Sequence, residues 1–279
     1  MNFKPHEDKV SKGKYYFSKS LEKGLNILSL FNRDVPALTQ SQIARSLNLN
    51  MTSTYRYINT LVEMDYLEKD PKTKEIRPTL RCVAFCNNLS SATDRIRLMQ
   101  RVVDRIHSEN NISVDVALVV DDALQRLYYR EAEETLTYSL PDNSKNCLHN
   151  TALGKAYLSS LPTENLAETI DRLCLEAKTE KTITTKEKLL AELKSAKTRG
   201  YAMSEEEYLP GLLAIGAPLI NPVNGTGVGA VSFDFSLLQH GAEEIATRYA
   251  RQIVQVAAQL SELLPANGVF RSSIPMPQR

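Results

Sequence analysis

The sequence predicts an α+β chain in two parts: an N-terminal winged helix-turn-helix, then a linker helix leading into a C-terminal α/β domain. Three observations predict this. The first 80 residues hold three short helical patterns, the last two separated by only three residues, followed by two short strands around a basic turn. Beyond residue 110 the apolar period switches from helical spacing to alternation and back several times. The chain of 279 residues carries a net charge of +1 that hides a split. Residues 1–90 hold 14 basic and 9 acidic side chains, against 20 and 24 in the remainder. A basic module on an acidic remainder fits a nucleic-acid-facing piece joined to something else, although Lys4, Lys9, Lys12 and Lys14 supply much of the excess.

Composition excludes several classes. Hydrophobic residues make up 42% and charged residues 24%, ordinary globular usage that argues against disorder or a fibrous chain. Mean hydropathy is −0.30, and the first residues contain no apolar run of the signal-peptide kind. The longest uncharged stretch, Tyr208 to Phe233, is interrupted by Pro210, Pro218 and Pro222 and reads as two buried strands with a turn, not as a membrane span. Cys82, Cys86, Cys147 and Cys174 form no CxxC pair, so reduced thiols in the cytoplasm are expected. The four histidines are scattered, and no HExxH, Walker A or GxSxG pattern occurs. No metal, cofactor or membrane partner is expected.

The elements follow in order. Residues 1–18 form a polar tail. Ser20 can cap a first helix with Leu21, Leu25, Leu28 and Phe31 on one face. Thr39-Gln40-Ser41-Gln42 is a capping box ahead of Ile43, Ala44 and Leu47. After Asn48-Leu49-Asn50, a third helix runs from about Met51 to Met64 with Thr54, Ile58, Leu61 and Val62 inward. Its outward face is read as Ser53, Arg56, Tyr57 and Thr60, at i, i+3, i+4 and i+7. All four donate hydrogen bonds and none is acidic, which suits phosphates and base-edge acceptors. A merely solvated face would more often mix Glu with Lys. Strands at Tyr66–Lys69 and Glu75–Arg77 flank the turn Asp70-Pro71-Lys72-Thr73-Lys74 and read as a wing. The winged helix thus occupies 19–79 and the linker helix 80–92, with a domain at 93–265 and a tail at 266–279.

The stripe Leu80, Val83, Ala84 and Phe85, continued by Ile96, Met99, Val103 and Ile106, is either a plain linker and first helix or also a dimer seam. Val114–Val120 and Leu124–Arg130 read as a hairpin. Helices are expected at Thr151–Ser160, Leu166–Leu175 and Lys186–Arg199, the last ended by Gly200. Strands are expected at Tyr201–Ser204, Leu212–Ile220 and Gly227–Phe235, with Asn224-Gly225 turning the last pair. A helix from about Ala242 to Leu264 closes a mixed sheet covered by helices.

Two features carry chemistry in the second part. The segment Asn150-Thr151-Ala152-Leu153-Gly154 opens a helix whose first N–H groups face a carboxylate favourably, unless Asn150 or Thr151 simply caps it. In Val231-Ser232-Phe233-Asp234-Phe235-Ser236, alternation puts Ser232, Asp234 and Ser236 on one face. Ala214 and Gly216 share a face and are small, which would leave room for a ligand.

These residues resemble the IclR family of bacterial transcriptional regulators over most of the chain. The resemblance rests on Ser20–Leu28, on Leu49–Leu61 with Arg56, and on Leu148-His149-Asn150-Thr151-Ala152-Leu153-Gly154-Lys155-Ala156. It also rests on Gly200-Tyr201-Ala202 through Glu206-Glu207 to Pro210-Gly211, and on Ile215-Gly216-Ala217-Pro218. The resemblance implies a GAF-like effector-binding domain and a homodimer or homotetramer on partly palindromic promoter DNA. It implies DNA contacts from Thr39, Gln40, Thr52, Ser53, Arg56, Tyr57, Thr60, Lys72 and Lys74. A small organic-acid effector, aromatic or hydroxylated, would meet Ala152, Leu153, Gly154, Ser204, Ala214, Gly216, Ser232 and Asp234. Asp65 stands where a glycine is common before the wing, and Pro78 interrupts the second wing strand. Asp234 stands where serine is frequent; its carboxylate repels an anion unless it meets a hydroxyl or amine, or is paired with a cation and structural. A competing reading, a hydrolase with a helix-turn-helix accessory domain, would use His149, Ser232 and Asp234, but no nucleophile elbow surrounds Ser232. A third reading, a protein-interaction module, is disfavoured by the chemistry of the third helix.

Overall fold

The structure is a computed structural model, describing residues 17–32, 35–91, 94–133, 143–145 and 147–265. Of the tail expected at 1–18, residues 1–16 lie outside the described residues, as does the whole tail expected at 266–279, while Ser18 belongs to the start of the first helix. The chain divides into two compact units at Cys86 and Asn87.

The first unit is a winged helix. Ser18 caps α1 (Lys19–Leu28), its hydroxyl accepting from the Leu21 N–H at 3.3 Å. The sequence puts Leu21, Leu25, Leu28 and Phe31 inward, but the helix is turned otherwise: Ile27 and the following Leu30 enter the core, while Leu21 and Leu25 are 64% and 53% exposed. The segment has apolar residues on two faces, so periodicity alone could select either one. β1 (Leu38–Thr39) is a short strand that the sequence did not announce. Next, α2 (Gln40–Ser46) starts with the expected capping box: the Gln42 N–H donates to Thr39 Oγ1, and the Thr39 N–H to Gln42 Oε1 at 2.7 Å. Asn50 caps α3 (Met51–Glu63) by accepting from the Ser53 N–H at 2.8 Å. Ile27, Ile43, Ile58, Leu67 and Ile76 form the buried centre. β2 (Leu67–Lys69) and β3 (Glu75–Pro78) complete an antiparallel sheet of order β1-β3-β2. Asp65 adopts φ +58, a left-handed conformation, and its carbonyl accepts from the Thr79 hydroxyl. That conformation explains why glycine would suit the position and why aspartate is tolerated there. Pro78 ends β3 opposite Leu67, where its missing N–H costs little. The helix α4 (Leu80–Ser91) exposes Leu80, Val83, Phe85 and Leu89.

The second unit is built on one sheet. After α5 (Asp94–Asn110) come β4 (Ser113–Val120) and β5 (Ala123–Arg130), joined through Asp121 and Asp122, both at positive φ as a two-residue hairpin loop requires. A short β6 (Asn143–Lys145), unforeseen in the sequence, pairs with β5. α6 (Ala152–Ser159), α7 (Thr163–Arg172) and α8 (Lys186–Arg199) follow, then β7 (Ala202–Glu205), β8 (Leu212–Ile220), β9 (Gly227–Ser236) and α9 (Ala242–Glu262). The strand order is β6-β5-β4-β9-β8-β7. Every described pair is antiparallel, so the expected mixed sheet is corrected. The α6–α8 segment carries the chain from one sheet edge to the other without making a parallel crossover.

The faces of the sheet divide by chemistry. Val114, Val116, Ile215, Val231 and Phe233 pack with Val103 and Ile106 of α5 and Ile245, Tyr249 and Ile253 of α9. Ala117, Ala202 and Ala230 on the other face pack with Leu153 and Ala156 of α6 and Leu189 and Leu193 of α8. Small residues under α6 let that helix approach the strands closely. No helix among the described residues is long and apolar enough to cross a membrane.

Candidate functional site

The first unit presents α3 outward. Thr54 and Ile58 are its fully buried positions. At roughly 100° per residue, the opposite face centres on Thr52, Arg56, Asn59 and Glu63. Thr52, Tyr55, Arg56, Thr60 and Glu63 are exposed, and Ser53, Tyr57 and Asn59 half-buried. The outward face is therefore rotated from the sequence reading and includes one acid. Tyr57 leans toward α1, packs at the core's edge and has the Lys23 ammonium 6.0 Å from its ring centroid. Tyr55 and Asn59 were missed; taking the buried Thr54–Ile58 pair as the pole of the wheel would have found them. The Thr60 hydroxyl donates to the Arg56 carbonyl at 2.9 Å, leaving the Arg56 guanidinium as the principal cation of the helix.

The remaining predicted contacts have definite local roles. Thr39 is the cap of α2, and Gln40 Nε2 donates to the Met51 carbonyl at 3.2 Å, tying α2 to α3. In the wing turn the Asp70 carboxylate accepts from the Lys72 and Thr73 N–H groups at 2.7 and 2.9 Å, which holds its pKa below the usual value. That turn leaves Lys72 and Lys74 exposed, with Lys74 Nζ donating to the Pro71 carbonyl at 2.6 Å.

In the second unit the register assembles the predicted residues into two neighbouring rows across the sheet. One row is Ser204–Ala214–Asp234–Ser113, the other Ala202–Gly216–Ser232–Asp115–Tyr129. Ser113, Asp115, Ser204, Ser232 and Asp234 are all buried. The start of α6 lies directly above. The Thr151 hydroxyl accepts from the Gly154 N–H at 3.0 Å and donates to the Cys147 carbonyl at 2.6 Å. The first intrahelical bond runs from the Lys155 N–H to the Thr151 carbonyl at 2.9 Å. Of the two capping candidates, Thr151 caps this helix start, and the Ala152 and Leu153 N–H groups have no partner among the described residues.

Gly216 does not leave open volume. A Cβ there would stand 2.9 Å from the Ala152 carbonyl oxygen, so its missing side chain seats α6 on β8.

Asp115 and Arg126 were not foreseen as neighbours of Asp234. Arg126 Nε donates to both Asp115 oxygens at 3.0 and 3.1 Å, and its Nη2 to Asp115 Oδ2 at 2.5 Å. The guanidinium also covers the Tyr129 ring at 4.6 Å. Arg126 thus compensates Asp115, and the acid beside it is Asp234, which accepts from the Ser232 hydroxyl at 2.8 Å. Burial, reinforced by the Asp115 charge, pushes the Asp234 carboxyl up to about 7; the Ser232 hydrogen bond and the Arg126 charge oppose that rise only in part. The sequence signal for Asp115 was a lone charge in the largely apolar β4; Arg126 lies in the more polar, half-buried β5, which also carries Arg130.

The sign of the linkage follows. The folded chain holds the Asp234 proton up to about pH 7, whereas the unfolded chain releases it near 3.8. Stability therefore falls as pH rises between those values and stays lowered above them. Asp234→Asn should stabilise the protein at pH 8, on the order of 2–4 kcal/mol, and change little below pH 4. Urea unfolding followed by circular dichroism at both pH values checks this; equal gains at both would show that charge is not the cause.

His149 does not join Ser232. Its Nε2 lies 3.0 Å from the Glu176 carbonyl oxygen, burial lowers its pKa, and the Ser232 hydroxyl is engaged by Asp234, so no triad forms.

A family model described as "Bacterial transcriptional regulator IclR C-terminal" matches residues 88–262, and one described as "IclR helix-turn-helix domain" matches residues 20–71. The chain belongs to the IclR family. As an IclR protein it is a DNA-binding transcriptional regulator and not an enzyme. It is 27% identical over 214 residues to the HTH-type transcriptional regulator BhcR of Paracoccus denitrificans, covering 76% of this chain and 75% of that one. It is 26% identical over 222 residues to the p-hydroxybenzoate hydroxylase transcriptional activator of Acinetobacter baylyi, covering 78% and 81%. The fold resembles an IclR homolog from Microbacterium hydrocarbonoxydans crystallised with 4-hydroxybenzoate, at a TM-score of 0.68 and 19% identity, over 88% of this chain and 98% of that one.

Proposed function

We propose that this IclR regulator senses a small hydroxylated carboxylic acid and acts as a homodimer or homotetramer on partly palindromic promoter DNA in the cytoplasm. The observation that carries the effector reading is the pair of buried polar rows beneath the start of α6. The acid's carboxylate would lie against the Ala152 and Leu153 N–H groups near Gly154, where the helix dipole favours an anion. Ser204, Ala214, Ser232 and Asp234 would form the floor beside Gly216, whose own face the Ala152 carbonyl covers, with a hydroxyl of the ligand at Asp234. A relative named for p-hydroxybenzoate hydroxylase and a neighbour crystallised with 4-hydroxybenzoate support a hydroxylated aromatic acid. A thermal-shift screen of organic acids, including 4-hydroxybenzoate and terephthalate, tests this. Hydroxylated monoacids should raise the unfolding temperature and dicarboxylates should not. A dicarboxylate as the sole ligand would overturn the role given to Asp234.

The DNA contacts proposed are Thr39, Gln40, Thr52, Ser53, Arg56, Tyr57 and Thr60 from the helices, with Lys72 and Lys74 from the wing. Arg56→Ala should weaken operator binding by about 1–3 kcal/mol and relax selectivity at one base pair if Arg56 reads a base edge. Anisotropy titration against matched and mismatched duplexes measures both quantities. Unchanged affinity in a folded variant removes Arg56 from the interface.

The divisions 19–79, 80–92 and 93–265 are proposed as the working domains. Exposed Leu80, Val83 and Leu89 on α4 support the linker as a dimer seam, since one winged helix covers only a half-site. Sedimentation should give a dimer or tetramer at micromolar concentration, and Val83→Glu should shift it toward monomer. A monomeric wild type that still binds one operator tightly contradicts the seam.

A further inference from the structure

Asn150 is the polar side chain of the second unit that the fold explains least. It is fully buried, and neither its amide oxygen nor its amide nitrogen has a hydrogen-bond partner among the described residues. A carboxamide offers two N–H donors and one acceptor. Native folds rarely bury such a group unpaired, and the exceptions call for a water, an ion or a ligand.

The backbone of Asn150 is firmly placed. Its carbonyl accepts from the Ser204 hydroxyl at 2.8 Å, and it directly precedes Thr151, the cap of α6. That puts the residue where the helix start meets the row Ser204–Ala214–Asp234. The Ala152 and Leu153 N–H groups lie next in the chain. Apart from the cap, these three residues hold unspent hydrogen-bonding capacity within four consecutive positions of the chain. Among the described residues nothing uses the Asn150 amide: the contact to β7 is made by its backbone, and the helix is capped by its neighbour.

We infer that Asn150 is an effector-recognition residue, and that the group it reads has an acceptor and a donor side by side. The carboxylate of the acid takes the Nδ2 donor, and a hydroxyl or amino group on the adjoining carbon donates to Oδ1. This rests on the effector reading above and adds to it a group beside the carboxylate, distinct from the ligand hydroxyl assigned to Asp234. A plain carboxylate satisfies the nitrogen alone and leaves Oδ1 unpaired in the interior. A 2-hydroxy acid satisfies both atoms at once, so the site discriminates by the cost of an unpaired acceptor.

Paired probes test the inference on the full chain: mandelate against phenylacetate, and lactate against propionate, by calorimetry. The wild type should prefer the hydroxylated member of at least one pair by about tenfold. Asn150→Ala and the closer isostere Asn150→Leu should erase that preference. Because they remove an unpaired buried amide, the ligand-free unfolding temperature of Asn150→Leu should hold or rise. A merely structural asparagine gives the opposite pattern, in which ligand-free stability falls and the preference persists; that result overturns the inference. It also fails if the wild type binds acids of the thermal-shift screen with no preference between paired probes, while the effector reading stands. If the wild type binds no acid at all, the effector reading falls and takes this inference with it.

Discussion

Lys155→Ala is expected to destabilise the C-terminal unit by about 3–5 kcal/mol, the usual consequence of breaking a buried ion pair from one side. The Lys155 side chain is 1% exposed, and its ammonium donates to Glu207 Oε1 at 2.5 Å across the space between α6 and the turn after β7. Burial pushes the Glu207 carboxyl up by more than the Lys155 charge and hydrogen bond pull it down. The pair therefore adds little net stability when whole, and its loss is costly because it leaves a carboxylate buried without its cation. Removing both charges should recover most of the deficit, so Lys155→Met with Glu207→Leu should lie within about 1–2 kcal/mol of wild type. The chain has no tryptophan, so urea unfolding is best followed by far-ultraviolet circular dichroism. A single variant as stable as wild type would show the pair to be dispensable.

Gly154→Ala is expected to cost about 3 kcal/mol or more, for a steric reason. A Cβ at Gly154 would stand 2.3 Å from Leu148 Cα and 2.4 Å from its carbonyl oxygen. Both are backbone atoms of the turn that leads into α6, so no side chain can swing aside. Relief requires α6 to tilt off the turn, which disturbs the Ala152 contact with Gly216 and the placement of the Ala152 and Leu153 N–H groups. A loss of effector response should thus accompany the loss of stability, while DNA binding by the winged helix is spared at temperatures where that unit stays folded. A Gly154→Ala protein that unfolds and responds to acid like wild type would contradict the packing described.

Much of this was legible in the residues, and what was missed has physical causes. The capping box of α2 and the α8 span are local chemistry, which neighbouring residues specify. The β8–β9 hairpin followed from alternation and the Asn224-Gly225 turn, but the register that puts Ala214 and Asp234 in one row is fixed by the pairing of the whole sheet. The face of α1 was not legible, because Leu21, Leu25 and Leu28 compete with Ile27 and Leu30 and only tertiary packing chooses. Nor were the two edge strands β1 and β6: two or three residues carry too little pattern to distinguish a strand from a loop. Gly216 read as empty space, although a missing side chain is as often filled by a neighbouring backbone, here the Ala152 carbonyl. The Asp115–Arg126 pair could not be seen in advance, because the partners lie on paired strands whose register shifts between Val116 and Ala117. Asn150 was visible only as a possible cap, a role the structure gives to Thr151.

Operator reading and acid binding are expected to be coupled in this one chain, and the coupling is directly measurable. Its most direct test is an anisotropy titration of a duplex selected from a random pool, with the full-length protein at two salt concentrations, with and without the acid found by thermal shift. Binding should be sequence-selective and fall steeply with salt, and the acid should change its affinity several-fold. Binding indifferent to sequence, or an operator affinity unmoved by an acid that saturates the protein, would contradict it.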